Sequence, residues 1–131
     1  MPYGSILADT LQSSVSGTPP QFNDGNGTQV GTLCRAWVNF NGSTAAIRAS
    51  FNVTSVTKNG TGDFTLNFTN ALADANYSVV GSSGTAASDY RIFVPNFNAA
   101  PTASACRIRT GVPSSIGPAT DDPYSNVAIF R

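Results

Sequence analysis

The side chains that could carry out chemistry in this sequence are few, and most of them are aspartates. The chain contains no glutamate and no histidine, so its seven acidic residues are all aspartates. General acid–base catalysis usually depends on His, Glu or an Asp with a shifted pKa. Asp121 and Asp122 are adjacent in a loop before Pro123, where they could bind a cation or act as a carboxylate pair. Adjacent carboxylates in such a loop are more often simple turn residues, and we favour that interpretation.

The two cysteines, Cys34 and Cys106, offer little further chemistry. A nucleophilic cysteine normally needs a histidine to activate it, and two cysteines are too few for a structural zinc site. Both fall at inward-facing positions of predicted strands, so we expect buried free thiols, with one disulfide possible if their strands are neighbours. The sequence predicts no helix that a phosphate-binding glycine loop could precede. We therefore expect no enzyme activity, no cofactor and no metal site.

The stretch "VTKNGTGDFTLNF", residues 56–68, could hold a functional site or could be a purely structural hairpin. Asn59-Gly60 favours the positive φ angles of a tight hairpin turn between two strands. Lys58 and Asp63 would flank that turn as a solvated ion pair, which contributes less than about 1 kcal/mol. The stretch is thus predicted to be a structural hairpin.

Alternation of apolar and polar residues begins at Leu33 and continues to the end of the chain. This period of two is typical of half-buried strands. Clusters of Gly, Pro, Asn and Asp separate the runs, which predicts about seven short strands in an all-β fold, an antiparallel sandwich or jelly roll spanning residues 31–131. The predicted inward-facing residues of the first two runs are Cys34, Ala36, Val38, Phe40, Ile47, Ala49, Phe51 and Val53.

Residues 1–30 differ from the rest, because turn-forming residues dominate them. Their apolar residues are Ile6, Leu7 and Leu11, together with a few isolated positions. We predict an extended N-terminal arm that a partner holds in place, by strand addition or by contact with a neighbouring copy.

The composition excludes some partners and favours others. Only 11% of the residues are charged, against roughly 25% in an ordinary soluble domain, and the net charge is zero. No basic patch indicates nucleic-acid binding, and no apolar run has the length of a membrane span. The uncharged polar surface fits either a small β domain from a Thr- and Asn-rich lineage or a subunit packed against neighbours.

Six outward-facing residues are candidates for such contacts. Trp37 lies on the polar face of its strand, where it could stack on a sugar or, as we favour, cover a flank or an intersubunit contact. Outward arginines could face solvent or pair with aspartates of neighbouring subunits. With the apolar residues of the arm, the candidate interface residues are Ile6, Leu7, Leu11, Arg35, Trp37, Arg48, Arg91, Arg107 and Arg109.

Residues 34–82, "CRAWVNFNGSTAAIRASFNVTSVTKNGTGDFTLNFTNALADANYSVVGS", resemble a segment that recurs in virion structural proteins of tailed bacteriophages. The opening "YGSILADTLQSSVSGTPPQFNDGNGTQVG" resembles N-terminal stretches of the same group. The resemblance implies a non-enzymatic component of the virion, assembled in the cytoplasm of a bacterial host.

Two placements in the virion compete, and a third reading lies outside it. In the first, the chain is a capsid decoration or cement protein, a homotrimer seated on the major capsid protein and anchored by its arm. In the second, it is a tail fibre or host receptor-binding module that contacts a host surface glycan. We favour decoration, because the chain is one domain long and lacks the heptads or repeats of a fibre shaft. The third reading, a carbohydrate-binding module, depends on Trp37.

Overall fold

The computed structural model describes residues 8–14, 20–86, 90–96, 98–113 and 118–131. Ile6 and Leu7 lie outside these residues. The described parts contain ten strands and no helix. The chain divides into two units, Met1–Leu33 and Cys34–Arg131.

The first unit contains a short hairpin inside the predicted arm. Strand β1 (Phe22–Asn23) pairs with β2 (Gln29–Gly31) in an antiparallel arrangement. Asp24 organises the turn, because its Oδ1 accepts hydrogen bonds from the backbone N–H groups of Asn26 (2.9 Å) and Thr28 (2.8 Å). Such a carboxylate turn is the local structure that Asp and Asn favour.

The second unit is an antiparallel β-sandwich, as the alternation predicts. The first sheet has the strand order β4-β3-β10-β7, and the second sheet has the order β5-β6-β9-β8. The strands are β3 (Cys34–Asn41), β4 (Ala46–Phe51), β5 (Val53–Gly60), β6 (Asp63–Phe68), β7 (Ser78–Gly84), β8 (Ile92–Pro95), β9 (Ala105–Gly111) and β10 (Tyr124–Phe130).

Side chains from both sheets meet in one hydrophobic core. The two central strands of each sheet, β3 and β10 in the first and β6 and β9 in the second, supply most of the core residues. Phe40 and Phe64 join the two layers, with ring centroids 5.1 Å apart and ring planes at 69°. This edge-to-face contact is a preferred geometry for buried aromatic rings. The core residues are Ala36, Val38, Phe40, Val53, Phe64, Leu66, Phe68, Leu72, Cys106, Ile108, Val127 and Ile129.

The chain crosses from the first sheet to the second at Asn52, which has a φ of 55°. Asn52 holds this corner by donating Nδ2 hydrogen bonds to the carbonyls of Arg35 (3.1 Å) and Asn70 (3.1 Å). The corner separates β4 from β5, whereas the predicted run of inward-facing residues continues from Ile47 to Val53. The sandwich therefore has eight strands rather than about seven.

A bulge at Arg48 reverses the predicted orientation of β4. Phe40 pairs with Ile47, but Asn39 pairs with Ala49, so Arg48 is an extra residue in the ladder. An extra residue shifts every following side chain to the other face. The prediction that Ala49 and Phe51 face inward is therefore wrong, and both are exposed.

The β5–β6 turn also lies two residues later than predicted. Asn59 and Gly60 belong to β5, and the turn consists of Thr61 and Gly62, with Gly62 at a φ of 60°. Glycine is required there for a second reason: a Cβ on Gly62 would lie 2.4 Å from the backbone oxygen of Thr110.

Candidate interaction surface

An exposed apolar row crosses the outward face of the first sheet. Trp37 is paired with Phe51 on one side and Ala128 on the other, and Ala128 is paired with Val80. These four side chains therefore lie side by side across all four strands. Trp37, Phe51 and Val80 are 39%, 54% and 51% exposed. A contiguous exposed row of this kind is typical of an interaction site.

A polar row of Asn39, Asn126 and Ser82, which we call the amide rung, runs beside it, and Arg48 lies at its end. Arg48 Nη1 donates to Asn39 Oδ1 (3.3 Å), and Asn39 Nδ2 donates to Asn126 Oδ1 (2.5 Å). Asn126 Nδ2 then donates to Ser82 Oγ (3.4 Å). Arg48 is itself held by the Pro123 carbonyl (2.7 Å) and lies 5.3 Å from the centre of the Tyr124 ring.

A shallow groove of about 550 Å³ lies along this face, and Trp37, Ala128 and Val80 of the apolar row form part of its lining. Ala128 forms its floor because it is the small residue between Trp37 and Val80. The remaining lining comes from Asn39, Asn126, Ser82 and the backbone around them, and none of the lining residues is charged. The groove therefore combines an aromatic wall with a row of amide and hydroxyl groups.

The outward face of the second sheet is organised differently, because its polar groups bind one another. Arg107 binds Asp63 through two parallel hydrogen bonds, Nε–Oδ1 at 2.8 Å and Nη2–Oδ2 at 2.9 Å. Asn67 Nδ2 donates to the hydroxyls of Ser55 (3.0 Å) and Thr57 (3.0 Å).

Asp121 and Asp122, the candidate carboxylate pair, are structural. Asp121 Oδ2 accepts from Lys58 Nζ (2.6 Å) and its Oδ1 from the backbone N–H of Gly62 (2.8 Å). Asp122 is buried, with Oδ1 2.9 Å from Thr120 Oγ1 and 3.0 Å from Arg91 Nε. These contacts tie the loop before β10 to the β5–β6 turn.

These contacts correct two expectations, one about an ion pair and one about the exposure of an arginine. Lys58 does not pair with Asp63 across the hairpin, because Lys58 pairs with Asp121 and Asp63 pairs with Arg107. Arg91 does not face solvent: its side chain is 12% exposed and lies against Asp122. Arg91 precedes β8, where the alternation of that strand has not yet begun.

The other predicted interface residues are scattered. Arg107 binds Asp63 on the second sheet. On the first sheet, Trp37 lines the groove and Arg48 lies at the end of the amide rung. Arg35 and Arg109 make no ion pair with any residue that the structure describes. Leu11 is exposed in the first unit.

Both cysteines are free thiols in the structure, so no disulfide joins the two sheets. Cys106 is buried as predicted, whereas Cys34 is only half-buried. Burial raises the pKa of the Cys106 thiol to about 11. Tyr77 contacts the same region, with its hydroxyl donating to the carbonyls of Thr102 (3.1 Å) and Ala105 (3.0 Å). Burial likewise raises the pKa of Tyr77. Neither group is poised to ionise near neutral pH, so neither acts as an activated nucleophile.

Comparison of the chain with protein-family models, curated proteins and solved structures finds no match. Among the described residues, no helix has the length and apolar character needed to cross a membrane. Within the same residues, no three His, Cys, Asp or Glu side chains cluster closely enough to hold a metal ion.

Acid should weaken the fold chiefly through Asp63, with a smaller contribution from Asp74, whose exposed ion pair is screened by water. Hydrogen bonding from Arg107 lowers the pKa of Asp63, and hydrogen bonding from Arg131 lowers that of Asp74 to about 2 from an ordinary 3.8. Because the folded-state pKa values lie below the unfolded ones, the stabilisation is present above about pH 4 and is lost as the pH falls towards about 2.

We expect the urea midpoint to fall over that acid range and to change little between neutral pH and about pH 5. The double variant Asp63→Asn with Asp74→Asn should show a shallower acid decline than the wild type. An unchanged decline in the double variant would assign the acid sensitivity to other carboxyl groups.

Proposed function

We propose that the chain is a non-enzymatic structural protein of a tailed-bacteriophage virion, and that it decorates the capsid. The observation that carries this proposal is the exposed apolar surface of the first unit. Leu11 and Val30 are 63% and 67% exposed, and Phe22 and Leu33 are also exposed. The hairpin of this unit has strands of only two and three residues. An isolated hairpin of that size is at best marginally stable, so a partner surface would stabilise it.

The chemistry of the second unit supports a binding role over a catalytic one. Its ionisable side chains are largely engaged with one another, in pairs that join Lys58 to Asp121, Arg91 to Asp122, Arg107 to Asp63 and Arg131 to Asp74. Hydrogen bonding from Arg107 and Arg131 keeps the pKa of Asp63 and of Asp74 below the ordinary value, so these two carboxylates do not act as general acids near neutral pH.

In this proposal the arm contacts the major capsid protein, and the sandwich contacts copies of itself in a homotrimer. Uncharged polar groups are cheaper to cover than Lys or Glu, so weak contacts can form over a broad surface. A trimer presents three arms to the shell, and linked contacts strengthen one another through effective concentration.

Deletion of residues 1–30 should release the protein from capsids while the sandwich remains folded. The reason is that the apolar residues of the arm are lost, whereas the hydrophobic core lies entirely in the second unit. Co-sedimentation of purified capsids with full-length and truncated protein measures this, and thermal unfolding of the truncated protein is the control for folding. Full retention of the folded, truncated protein on capsids would contradict the role of the arm.

The alternative placement, a tail fibre or host receptor-binding module, is supported by a different observation. The groove on the first sheet presents an aromatic side chain beside amide and hydroxyl groups, which is a combination suited to a small ligand. The two placements differ in where the protein lies on the particle.

A further inference from the structure

We propose that the groove on the first sheet binds an uncharged oligosaccharide, with Trp37 stacked on a sugar ring and the amide rung hydrogen-bonded to its hydroxyl groups. All of the lining residues belong to the second unit, so the proposal does not depend on the arm or on its contact with a capsid.

The width of the groove favours a single extended chain of small rings. Trp37 and Val80 face each other across Ala128, which places them two strand spacings, or about 10 Å, apart. Side chains on these walls narrow that distance further, so an α-helix, about 10–12 Å in diameter, does not fit between them. A pyranose ring does fit, with its apolar face against the exposed indole of Trp37.

The amide rung still has hydrogen-bonding capacity for a ligand. Each Asn side-chain nitrogen has two hydrogens, and among the described residues Asn39 and Asn126 each use one of them along the rung. Ser82 Oγ accepts from Asn126, and its hydroxyl donates to no acceptor within the part of the chain that the structure describes. These three neighbouring donors match the hydroxyl oxygens along one edge of a sugar chain.

The charges around the groove indicate that the ligand is neutral. None of the lining residues is charged. Arg48, at the end of the rung, is already bound to the Pro123 carbonyl and to Asn39, and lies against the Tyr124 ring. An apolar surface laid over the amides would leave them without hydrogen-bond partners, which costs about 1–3 kcal/mol for each unsatisfied group. Sugar hydroxyls both donate and accept, so they avoid that cost.

The single tryptophan makes the test direct, because Trp37 is the only fluorophore excited selectively at long wavelength. The intact protein should be titrated with malto-, cello-, chito- and manno-oligosaccharides up to millimolar concentration. We expect at least one series to produce a saturable change in Trp37 emission and to protect the indole from quenching by acrylamide.

Variants then assign the binding to the groove. Asn126→Ala removes one hydrogen bond from the amide rung to the ligand. It should weaken binding about five- to tenfold while keeping Trp37 as the fluorescent reporter. Trp37→Ala should abolish binding, as measured by calorimetry. The matched controls are Asn67→Ala, an amide on the second sheet, and Tyr90→Ala, an exposed aromatic residue outside the groove. Both controls should bind like the wild type and, like the groove variants, should keep the wild-type unfolding temperature.

Three results would overturn the proposal. The first is no saturable change with any series, and the second is equal weakening by Asn67→Ala and Asn126→Ala. The third is concentration-dependent self-association that Trp37→Ala removes, because a second copy would then cover the groove. None of these results bears on whether truncation of the arm releases the protein from capsids.

Discussion

Phe64→Ala should lower the free energy of unfolding by about 3–5 kcal/mol, which is the usual cost of removing a fully buried phenylalanine. Phe64 is 0% exposed and its ring meets Phe40 edge-on between the two sheets. Truncation to alanine removes apolar burial, leaves a cavity and breaks the aromatic contact that joins the layers. Urea denaturation followed by circular dichroism measures the change.

Phe51→Ala is the matched control, because it is the same substitution at an outward-facing position. Phe51 is more than half exposed on the apolar row, and surface substitutions usually change stability by no more than about 0.5 kcal/mol. The contrast between the two variants tests the bulge at Arg48, which turns Phe51 outward. Equal destabilisation would mean that Phe51 lies in the core and that β4 has no such bulge.

Asp122→Ala should be the other severely destabilising substitution, at about 3–5 kcal/mol, because it removes one partner of a buried ion pair. The Asp122 carboxylate lies 3.0 Å from Arg91 Nε and accepts a hydrogen bond from Thr120 Oγ1 at 2.9 Å. Its removal takes the Asp122 charge away from a guanidinium that has little access to water. The loop before β10 should loosen at the same time, since the Thr120 hydroxyl loses the carboxylate to which it donates. The backbone carbonyl of residue 122 still accepts from the Gly42 N–H (3.0 Å) in the variant.

Asp74→Ala provides the comparison for that experiment. Asp74 pairs bidentately with Arg131, at 2.9 and 2.6 Å, but both side chains are exposed. Exposed pairs are screened by water and contribute little. Thermal unfolding of the two variants should therefore show a large shift for Asp122→Ala and a small one for Asp74→Ala. Similar shifts would show that burial does not increase the contribution of the Arg91–Asp122 pair to the stability of the fold.

Alternation in the sequence predicted the faces of the regular strands. In β3 it placed Ala36, Val38 and Phe40 inward and Trp37 outward, and the structure has them so. The pattern is reliable there because one face is buried, which penalises any slip of register. It was wrong in β4, because a single bulged residue changes the face without changing the composition of the strand.

Local turn preferences were overridden by long-range contacts. Asn59-Gly60 has the sequence of a tight turn, but the turn forms at Gly62, where the backbone of Thr110 leaves no room for a side chain. The partner of Lys58 likewise lies 63 residues further along the chain, at Asp121. Such contacts depend on which strands pair with one another. The alternation of apolar and polar residues does not contain that information.

The groove could be predicted only in part for the same reason. Trp37 was identified from its position opposite the inward residues of β3. Its neighbours Ala128 and Val80 come from β10 and β7, and the rung joins Asn39 to Asn126, 87 residues away. No spacing in the sequence indicates that these residues are adjacent, because the strand order β3-β10-β7 is not sequential.

The most direct test of the proposed function is the position of the protein in purified virions, determined by electron cryo-microscopy with a labelled or deleted copy of the gene as a reference. The proposal predicts density for the sandwich on the outside of the capsid shell, absent when the gene is deleted. Density confined to the tail would replace decoration with the receptor-binding alternative, and absence of the protein from the particle would contradict a virion role altogether.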